Sequence, residues 1–259
     1  TLSPRRAFAT GVGVTALVQS SSAVTLATLG FVSAGLMSLG QALPLLFGSN
    51  IGTTLTGWIV ALLGFKLKLS AYMLLLIGIG VGVKLFSGGR NYGYYGLALT
   101  GFGLFFFGLD FISGAFEGLS ESLPLKQLSG GAFELVLFVL AGVVITLLTQ
   151  SSSATIAIAL SMLSVDTLTL SGACALVIGA NIGTTTTAML GAIGSAANAK
   201  RVALAHLVSN GQTAIFGIVL LFLLANLLND QVLHYLDPVL ALALFHTLFN
   251  LLGVLLIWP

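Results

Sequence analysis

The sequence has little charge, a single cysteine and few prolines. Asp, Glu, Lys and Arg make up 6% of its 259 residues, whereas 57% are hydrophobic. Soluble domains carry roughly 25% charged residues, so this chain cannot cover a water-facing surface, and we expect no nucleic-acid partner. The lone Cys174 excludes an internal disulfide. We predict an integral membrane protein surrounded by lipid, and the apolar runs punctuated by Gly indicate helices rather than alternating strands.

What the sequence does contain is a pair of polar motifs that occurs twice. Gln-Ser-Ser-Ser-Ala begins at Gln19 and again at Gln150, and Gly-(Ser/Ala)-Asn-Ile-Gly-Thr-Thr begins at Gly48 and again at Gly179. The two copies lie 131 residues apart, and residues 11–57 match residues 142–188 at 21 of 47 positions without a gap. Two identical polar clusters in the same register indicate an internal duplication.

Each polar motif interrupts an apolar run that is too short to cross a membrane. About 12 apolar residues precede Gln19, which is roughly 18 Å of helix against the ~30 Å of a bilayer core. A second apolar arm follows Ser22, which predicts a re-entrant helical hairpin with a polar tip. The motif at Gly48 likewise predicts one crossing made of two half-helices. Interrupted segments at matching places in two halves are typical of a transporter's binding site.

The predicted fold is therefore all-α, integral to the membrane, and made of two inverted repeats. A hairpin returns to its own side and three crossings separate the copies, so the second copy has the opposite orientation. Each repeat contains a re-entrant helical hairpin, a broken transmembrane helix and two further spanning helices. The predicted bounds are 1–116 for repeat 1 (hairpin 7–35, broken helix 39–65, spans 69–86 and 93–112), 117–131 for a linker, and 132–259 for repeat 2 (hairpin 135–163, broken helix 170–193, spans 202–224 and 239–258).

The charged residues favour the same topology, because their signs separate between the two predicted sides. By the positive-inside tendency, the side without acids faces the cytoplasm, and the C-terminus lies on that side. We therefore expect a multi-pass protein of the cell (inner) membrane. The basic side holds Arg5, Arg6, Lys84, Arg90, Lys200 and Arg201; the other side holds Lys66, Lys68 and Lys126 with Asp110, Glu117, Glu121, Glu134, Asp166, Asp230 and Asp237.

The duplicated polar groups have the chemistry to hold an anion together with a cation. Helix N-termini present unpaired N–H groups and partial positive charge, so they attract anions, and serine and threonine hydroxyls can donate to them. Carbonyl groups freed at the breaks, with the Gln and Asn side-chain oxygens, are ligands that suit Na⁺. Because the motifs contain no Lys or Arg, co-binding of cations is the simplest way to neutralise an oxyanion. The residues thus predict a symporter.

Together these motifs resemble the type II sodium/phosphate cotransporter family, and specifically its bacterial members. A His-x-x-Phe-Asn element fits at His246-Thr247-Leu248-Phe249-Asn250, and His206-Leu207-Val208-Ser209-Asn210 is a looser version. The resemblance implies sodium-coupled transport of inorganic phosphate by alternating access, with the substrate held between the two Gln-Ser-Ser-Ser tips at the membrane midplane. It also implies Na⁺ as the co-transported ion, no organic cofactor and no enzymatic activity.

Carried over position by position, the resemblance predicts the site residues. Ala180 stands where the second copy often has Ser, so one sodium ligand is either absent or replaced by backbone. The bacterial members usually carry an extra N-terminal helix and a cytoplasmic helical domain, so we expect flanking segments, and a homodimer is one expected assembly. The predicted phosphate-binding residues are Ser20, Ser21, Ser22, Ser151, Ser152, Ser153, Asn50, Asn181, Thr53 and Thr54; the predicted sodium-binding residues are Gln19, Gln150, Ser151, Thr184 and Thr187.

The residues alone leave other functions open. A site made of hydroxyls does not choose an oxyanion, so a sodium symporter for sulfate, arsenate or a carboxylate fits as well. Re-entrant elements also suit an anion or cation channel, although an inverted repeat within one chain favours alternating access. An intramembrane hydrolase is disfavoured, because the tips contain no Gly-x-Ser-Gly or Ser-Lys arrangement. His206 and His246 are distant from both tips in the sequence, and we interpret them as structural.

Overall fold

A computed structural model describes residues 3–120, 125, 131–227 and 237–258. Within these residues the secondary structure is helical, without a strand. Much of the predicted linker 117–131 lies outside the described residues, as do the predicted loop charges Glu121, Lys126 and Asp230. The helices are α1 (Pro4–Val18), α2 (Ser21–Ser33), α3 (Leu39–Ile59), α4 (Met73–Phe86), α5 (Tyr92–Ser120), α6 (Ala132–Thr149), α7 (Ser152–Ser164), α8 (Leu170–Gly183), α9 (Thr185–Gly191), α10 (Ala197–Leu227) and α11 (Pro238–Ile257).

The duplication extends from the sequence to the backbone. Gln19 and Gln150 both adopt left-handed conformations, with φ of 56° and 53°, and each ends the helix before it. The next residues, Ser20 and Ser151, are extended and each caps the following helix. A second pair of left-handed residues also lies at equivalent positions: Gly35 in the first copy and Asp166, 131 positions later, in the second. Two chain segments with the same local pattern thus fold the same way at their interruptions.

Glycine allows the paired helices of each copy to approach closely. A Cβ on Gly11 of α1 would collide with the backbone oxygen of Leu45 on α3, and a Cβ on Gly48 would collide with that of Phe8. The second copy repeats this arrangement between α6 and α8, at Gly142 and Gly179. Small residues let membrane helices pack backbone to backbone, so these glycines pair α1 with α3 and α6 with α8.

Two late helices hold the copies together. Both α10 and α11 pack against α3 of the first copy and against α8 of the second. The short helices that follow the tips cross between copies: α2 contacts α9 and α10, while α7 contacts α3 and α5. Helices α4 and α5 form a separate antiparallel pair beside this assembly. The centre of the molecule is therefore made of elements from both copies.

The predicted break in 39–65 is wrong. Residues Gly48 to Thr54 lie inside the continuous helix α3, and the helix then continues as a π-helical segment, Val60–Lys66. The glycines there serve close packing rather than a break. In the second copy the interruption is a single residue, Thr184, which keeps a right-handed helical backbone between α8 and α9. The sequence had suggested that each motif starts a half-helix with a threonine at its N-cap. Neither motif does so with a threonine N-cap hydrogen bond.

Among the described residues, five helical segments are long and apolar enough to cross a membrane, by length and composition: Leu39–Lys66, Tyr92–Gly118, Leu170–Gly191, Ala197–Leu224 and Pro238–Ile257. Two of them extend the predicted spans 93–112 and 202–224, and a third agrees with the predicted span 239–258 to within one residue. The fourth predicted span, 69–86, is shorter than expected, because Leu69–Tyr72 form a 3₁₀ turn and α4 has 14 residues, about 21 Å. The chain is a multi-pass membrane protein.

Candidate substrate-binding site

The first tip is a sharp corner held by its own side chains. The left-handed backbone of Gln19 turns the chain, and its Nε2 donates to the backbone oxygen of Ala16 at 2.5 Å. Ser20 then caps α2 by accepting from the backbone N–H of Ala23 at 3.2 Å. The first-turn N–H groups of α2 lack partners within their own helix, so they point out of the corner as donors. The tip therefore presents a helix N-terminus.

The second tip repeats this geometry 131 residues later. Gln150 Nε2 donates to the backbone oxygen of Leu147 at 2.6 Å, and Ser151 accepts from the backbone N–H of Ala154 at 3.2 Å. The exposed fractions of the serines match as well, because Ser21 and Ser152 are each 7% exposed. The remaining serines of both tips are half-buried. Both tips thus offer the same set of donors.

Each glutamine uses its oxygen to bind a threonine on the long helix of its own copy. Gln19 Oε1 accepts from the hydroxyl of Thr56 at 2.7 Å, and Gln150 Oε1 accepts from the hydroxyl of Thr187 at 2.9 Å. Thr56 and Thr187 are equivalent positions of the duplication. The second pair brings together two predicted sodium ligands.

The two tips converge on one hydroxyl. Thr56 Oγ1, which donates to Gln19 of the first tip, lies 3.4 Å from Ser153 Oγ of the second tip. Thr56 is buried, with 6% of its surface exposed. The hydrogen-bond partners in these contacts are amides, hydroxyls and backbone groups, none of which carries a charge. Thr56 therefore links the polar groups of the two tips through uncharged partners.

The threonines of the long helices bond back to their own backbone. Thr53 donates to the oxygen of Ser49 and Thr184 donates to that of Ala180, each at 3.0 Å. Thr54 bonds to Ile51 in the same manner. A hydroxyl retains acceptor capacity after donating, so these side chains can still accept from a donor or bind a cation. They do not act as free donors to an anion in this conformation.

The asparagines of the two copies meet a third asparagine. Asn50 Nδ2 donates to Asn210 Oδ1 at 2.5 Å, and Asn210 Nδ2 lies 3.3 Å from the backbone oxygen of Asn181. All three side chains are buried, between 0% and 8% exposed. Within the part of the chain that the structure describes, the Asn181 side-chain nitrogen has no hydrogen-bond partner. The predicted pair Asn50 and Asn181 therefore shares one hydrogen-bond network.

The hydroxyl that is missing at Ala180 is replaced by that of a threonine. In the first copy Thr15 and Ser49 join their hydroxyls at 2.7 Å. In the second copy Ala180 takes the place of Ser49, and Thr146 instead bonds the hydroxyl of Thr155, also at 2.7 Å. The buried hydroxyl on the helix before each tip is thus satisfied in both copies.

Comparison with known proteins identifies the protein family. The description of the matching family model is Na⁺/Pi-cotransporter, and it matches residues 1–114 and 127–249. The chain belongs to the Na⁺/Pi-cotransporter family. Membership of this family points to phosphate transport across a membrane and not to an enzyme. No solved structure is significantly similar to the chain.

Relatives of the Na⁺/Pi-cotransporter chain include bacterial and mammalian proteins. YqeW of Bacillus subtilis, which is named as uncharacterized, is 34% identical over 99% of this chain and 81% of its own length. YjbB of Salmonella typhimurium, named as a candidate inorganic phosphate export protein, is 30% identical over 98% of this chain and 45% of its own length. The sodium-dependent phosphate transport protein 2A of Oryctolagus cuniculus is 47% identical over 60 residues, which is 23% of this chain and 9% of that protein. The chain thus spans less than half of YjbB.

Sequence reasoning missed two residues of this candidate site. Thr56 is the equivalent of Thr187, so the register of the duplication already contained the signal for it. Asn210 gave a weaker signal: His and Asn recur four residues apart at His206 and Asn210 and again at His246 and Asn250. Nothing in that spacing shows that Asn210 contacts residues 160 positions away.

Proposed function

We propose that the chain is a sodium-coupled secondary transporter of inorganic phosphate, with the substrate held between the two Gln-Ser-Ser-Ser tips. The observation that carries this proposal is the convergence of both tips on Thr56, whose hydroxyl contacts Gln19 at 2.7 Å and Ser153 at 3.4 Å. A site built equally from two duplicated elements is what a transporter with repeats needs at its centre.

The tips supply neutral donors for the anion. Helices α2 and α7 begin at the serines, so their first-turn N–H groups and partial positive charge face the gap between the tips. The hydroxyls of Ser21, Ser22, Ser152 and Ser153 add further donors. Ser20 and Ser151 accept from the following helix through their oxygens, which leaves their hydroxyl protons able to donate to the anion as well.

The glutamine–threonine pairs supply oxygens for the cations. Gln150 with Thr187, and Gln19 with Thr56, each place an amide oxygen beside a hydroxyl. Among the described residues no group of three His, Cys, Asp or Glu could hold a metal ion, so a co-transported cation here is held by uncharged oxygens. Such ligands suit Na⁺. Sodium bound beside the tips would offset the charge of a phosphate that no Lys or Arg neutralises.

Alternating access follows from the duplication if the second copy is inverted, as the crossing count predicts. Two cavities are consistent with the predicted grouping of the charges. One, of about 780 Å³, is lined by Arg5 and Trp258 without an acidic residue, and another, of about 630 Å³, is lined by Lys66, Asp110 and Asp237. The side that carries Arg5 and Trp258 would face the cytoplasm, in the cell membrane. A homodimer remains a prediction.

Uptake into proteoliposomes tests the proposal. Labelled phosphate should accumulate only with an inward sodium gradient, and reversing the gradient should drive export, the direction for which YjbB is named. Saturable, sodium-dependent counterflow separates a transporter from a channel. Competition by sulfate, arsenate and a carboxylate tests the alternative anions. Phosphate accumulation that does not depend on sodium would contradict the coupling.

Serine variants locate the site. Ser21→Ala and Ser152→Ala should abolish phosphate transport while the protein still inserts normally. The matched control is Ser164→Ala at the other end of α7, where the hydroxyl bonds only within its own helix. Unimpaired sodium-dependent uptake in both tip variants would place the site elsewhere.

A further inference from the structure

The feature that the proposed function does not use is the buried network around Asn210 of α10. Asn210 is fully buried and contacts three groups: Asn50 of the first copy at 2.5 Å, the backbone oxygen of Asn181 of the second copy at 3.3 Å, and His206 Nε2 at 3.1 Å. Asn50 and Asn181 are equivalent positions of the duplication. One side chain from outside both motifs therefore joins them.

The backbone carbonyl of Asn181 determines how the side-chain amides of Asn210 and Asn50 are oriented. The oxygen of Asn181 can only accept, so the Asn210 atom that faces it is the amide nitrogen. Asn210 Oδ1 therefore faces Asn50, which must donate through its own nitrogen. His206 Nε2 faces the NH₂ group of Asn210 and can accept from it. In this arrangement a donor faces an acceptor at each of the three contacts of Asn210.

The asparagines of the network and the threonines that bind the tips lie on the same two chain segments. Thr56 lies six residues after Asn50, and Thr187 lies six residues after Asn181. These are the two threonines that bind Gln19 and Gln150. A shift of α3 relative to α8 would therefore change the distance between the two glutamine–threonine pairs. Helices α3 and α8 pair tightly with α1 and α6 but are joined to one another through α10 and α11.

We propose that Asn210 is a positioning residue that holds the two Asn-Ile-Gly-Thr-Thr motifs in register and so sets the affinity of the site between the tips for phosphate. This inference rests on the proposed function. Asn210 does not touch the substrate; it acts through Asn50 and Asn181. Removing its side chain takes the acceptor away from the buried amide of Asn50 and one donor away from the backbone oxygen of Asn181, and the two motifs lose their common link.

Phosphate kinetics in proteoliposomes provide the test. Asn210→Ala should raise the KM for phosphate by about tenfold or more, with a smaller change in the maximal rate, because an energy of about 1.4 kcal/mol corresponds to tenfold. The matched control is Asn250→Ala. Asn250 is equally buried and also lies four residues after a histidine, but its amide donates only to the backbone of His246 on its own helix. A wild-type KM in Asn210→Ala, or equal increases in both variants, would overturn the proposal.

A conservative variant separates positioning from a general loss of structure. In Asn210→Asp the introduced carboxyl can accept from Asn50 when ionised, but it repels the oxygen of Asn181; when protonated it donates as the amide did. The KM of Asn210→Asp relative to that of the wild type at the same pH should therefore fall as the pH is lowered. A ratio that stays constant across pH would show that the donor to Asn181 does not matter, and would overturn the proposal.

The failure of this inference can be told from the failure of the proposed function. If the wild-type protein shows no sodium-dependent phosphate uptake, the proposed function falls, and the affinity claim falls with it. The link itself is then tested by thermal unfolding of Asn50→Ala, Asn210→Ala and the double variant. Effects that are clearly less than additive support the link, and additive effects contradict it.

Discussion

The first and second copies of the duplication share a backbone but differ in what their polar groups bind. Gln19 and Gln150 have the same left-handed conformation and the same bond to a threonine. Yet Gln19 is half-buried, whereas Gln150 is exposed. In addition, Thr56, which binds Gln19, also contacts Ser153 of the other copy. Duplication explains the common geometry, and the surroundings of each tip explain the difference.

The same contrast appears at the asparagines. Asn50 is held by Asn210 through its side chain, while Asn181 is held only through its backbone oxygen, and its amide nitrogen has no partner. The hydroxyl of Ser49 is replaced in the second copy by that of Thr155, which comes from the helix after the tip. Equal positions in a repeat therefore need not have equal roles, and each copy must be tested separately.

The largest expected effect concerns the packing that both copies share. Gly11→Ala and Gly142→Ala should each lower stability by about 1–3 kcal/mol or more, because the added methyl group would collide with backbone on the paired helix. The control is Gly13→Ala on the same helix, where a Cβ meets open space. Thermal unfolding in detergent measures the difference. A loss in one copy only would show that the two helix pairs are not equivalent.

The tips should differ in which ligand they affect. Gln19→Asn and Gln150→Asn keep a residue that tolerates the left-handed backbone but shorten its reach to the threonine. Because the side-chain oxygen of Gln150 binds Thr187, and no contact of Thr187 with the other tip is seen among the described residues, we expect Gln150→Asn to raise the sodium concentration for half-maximal transport by about tenfold, the loss of about 1.4 kcal/mol. Gln19→Asn should raise the KM for phosphate more, because Thr56 also contacts Ser153.

The measurement for the tips is transport as a function of sodium and of phosphate, with Gln212→Asn, an exposed position of α10, as the control. If both tip variants change the sodium dependence and the phosphate dependence in the same proportion, the prediction that one tip mainly affects sodium and the other mainly affects phosphate is wrong.

The smallest expected effect concerns an ion pair between a residue of the first copy and a residue of the second. Lys66, at the end of the π-helical segment, bonds Asp237 at 2.5 Å, and Asp237 caps α11. Burial acts to raise the pKa of Asp237, but the hydrogen bond and charge of Lys66 and the N–H of Leu240 outweigh it and hold that pKa below its ordinary value. The pair therefore stabilises the fold fully above the ordinary pKa of a carboxyl, and loses this contribution as the pH falls through the lowered pKa.

Because both side chains of this pair are partly exposed, Asp237→Asn should cost less than about 1 kcal/mol at neutral pH. The difference in melting temperature between the variant and the wild type should shrink in acid and at high salt. A difference that grows in acid would contradict the sign of the pKa shift.

The sequence predicted the tips well because their signals are local and repeated. Four consecutive hydrogen-bonding side chains inside an apolar segment predict the end of a helix, and both Gln19 and Gln150 end the helix before them. The register also implied that Thr56 and Thr187 are equivalent. These features depend on residues that are neighbours in the chain.

The continuity of α3 could not be predicted in the same way. A glycine in a membrane helix either breaks it or lets another helix approach, and the choice depends on the partner. For Gly48 that partner is Phe8 on α1, which the sequence does not place beside it. The role of Asn210 was hidden for the same reason, because Asn50 lies 160 residues earlier. Contacts between distant segments decide both cases.

Crosslinking tests the central claim, that the tips of both copies meet around the substrate. In a Cys174→Ala background, which removes the native thiol, Thr56→Cys and Ser153→Cys would place sulfurs where the two oxygens lie 3.4 Å apart. We expect an oxidant to form an intramolecular disulfide, detectable by mass spectrometry and absent from either single variant, and sodium with phosphate to slow its formation. A folded double variant that forms no disulfide, or forms it at a rate indifferent to phosphate, would contradict the account.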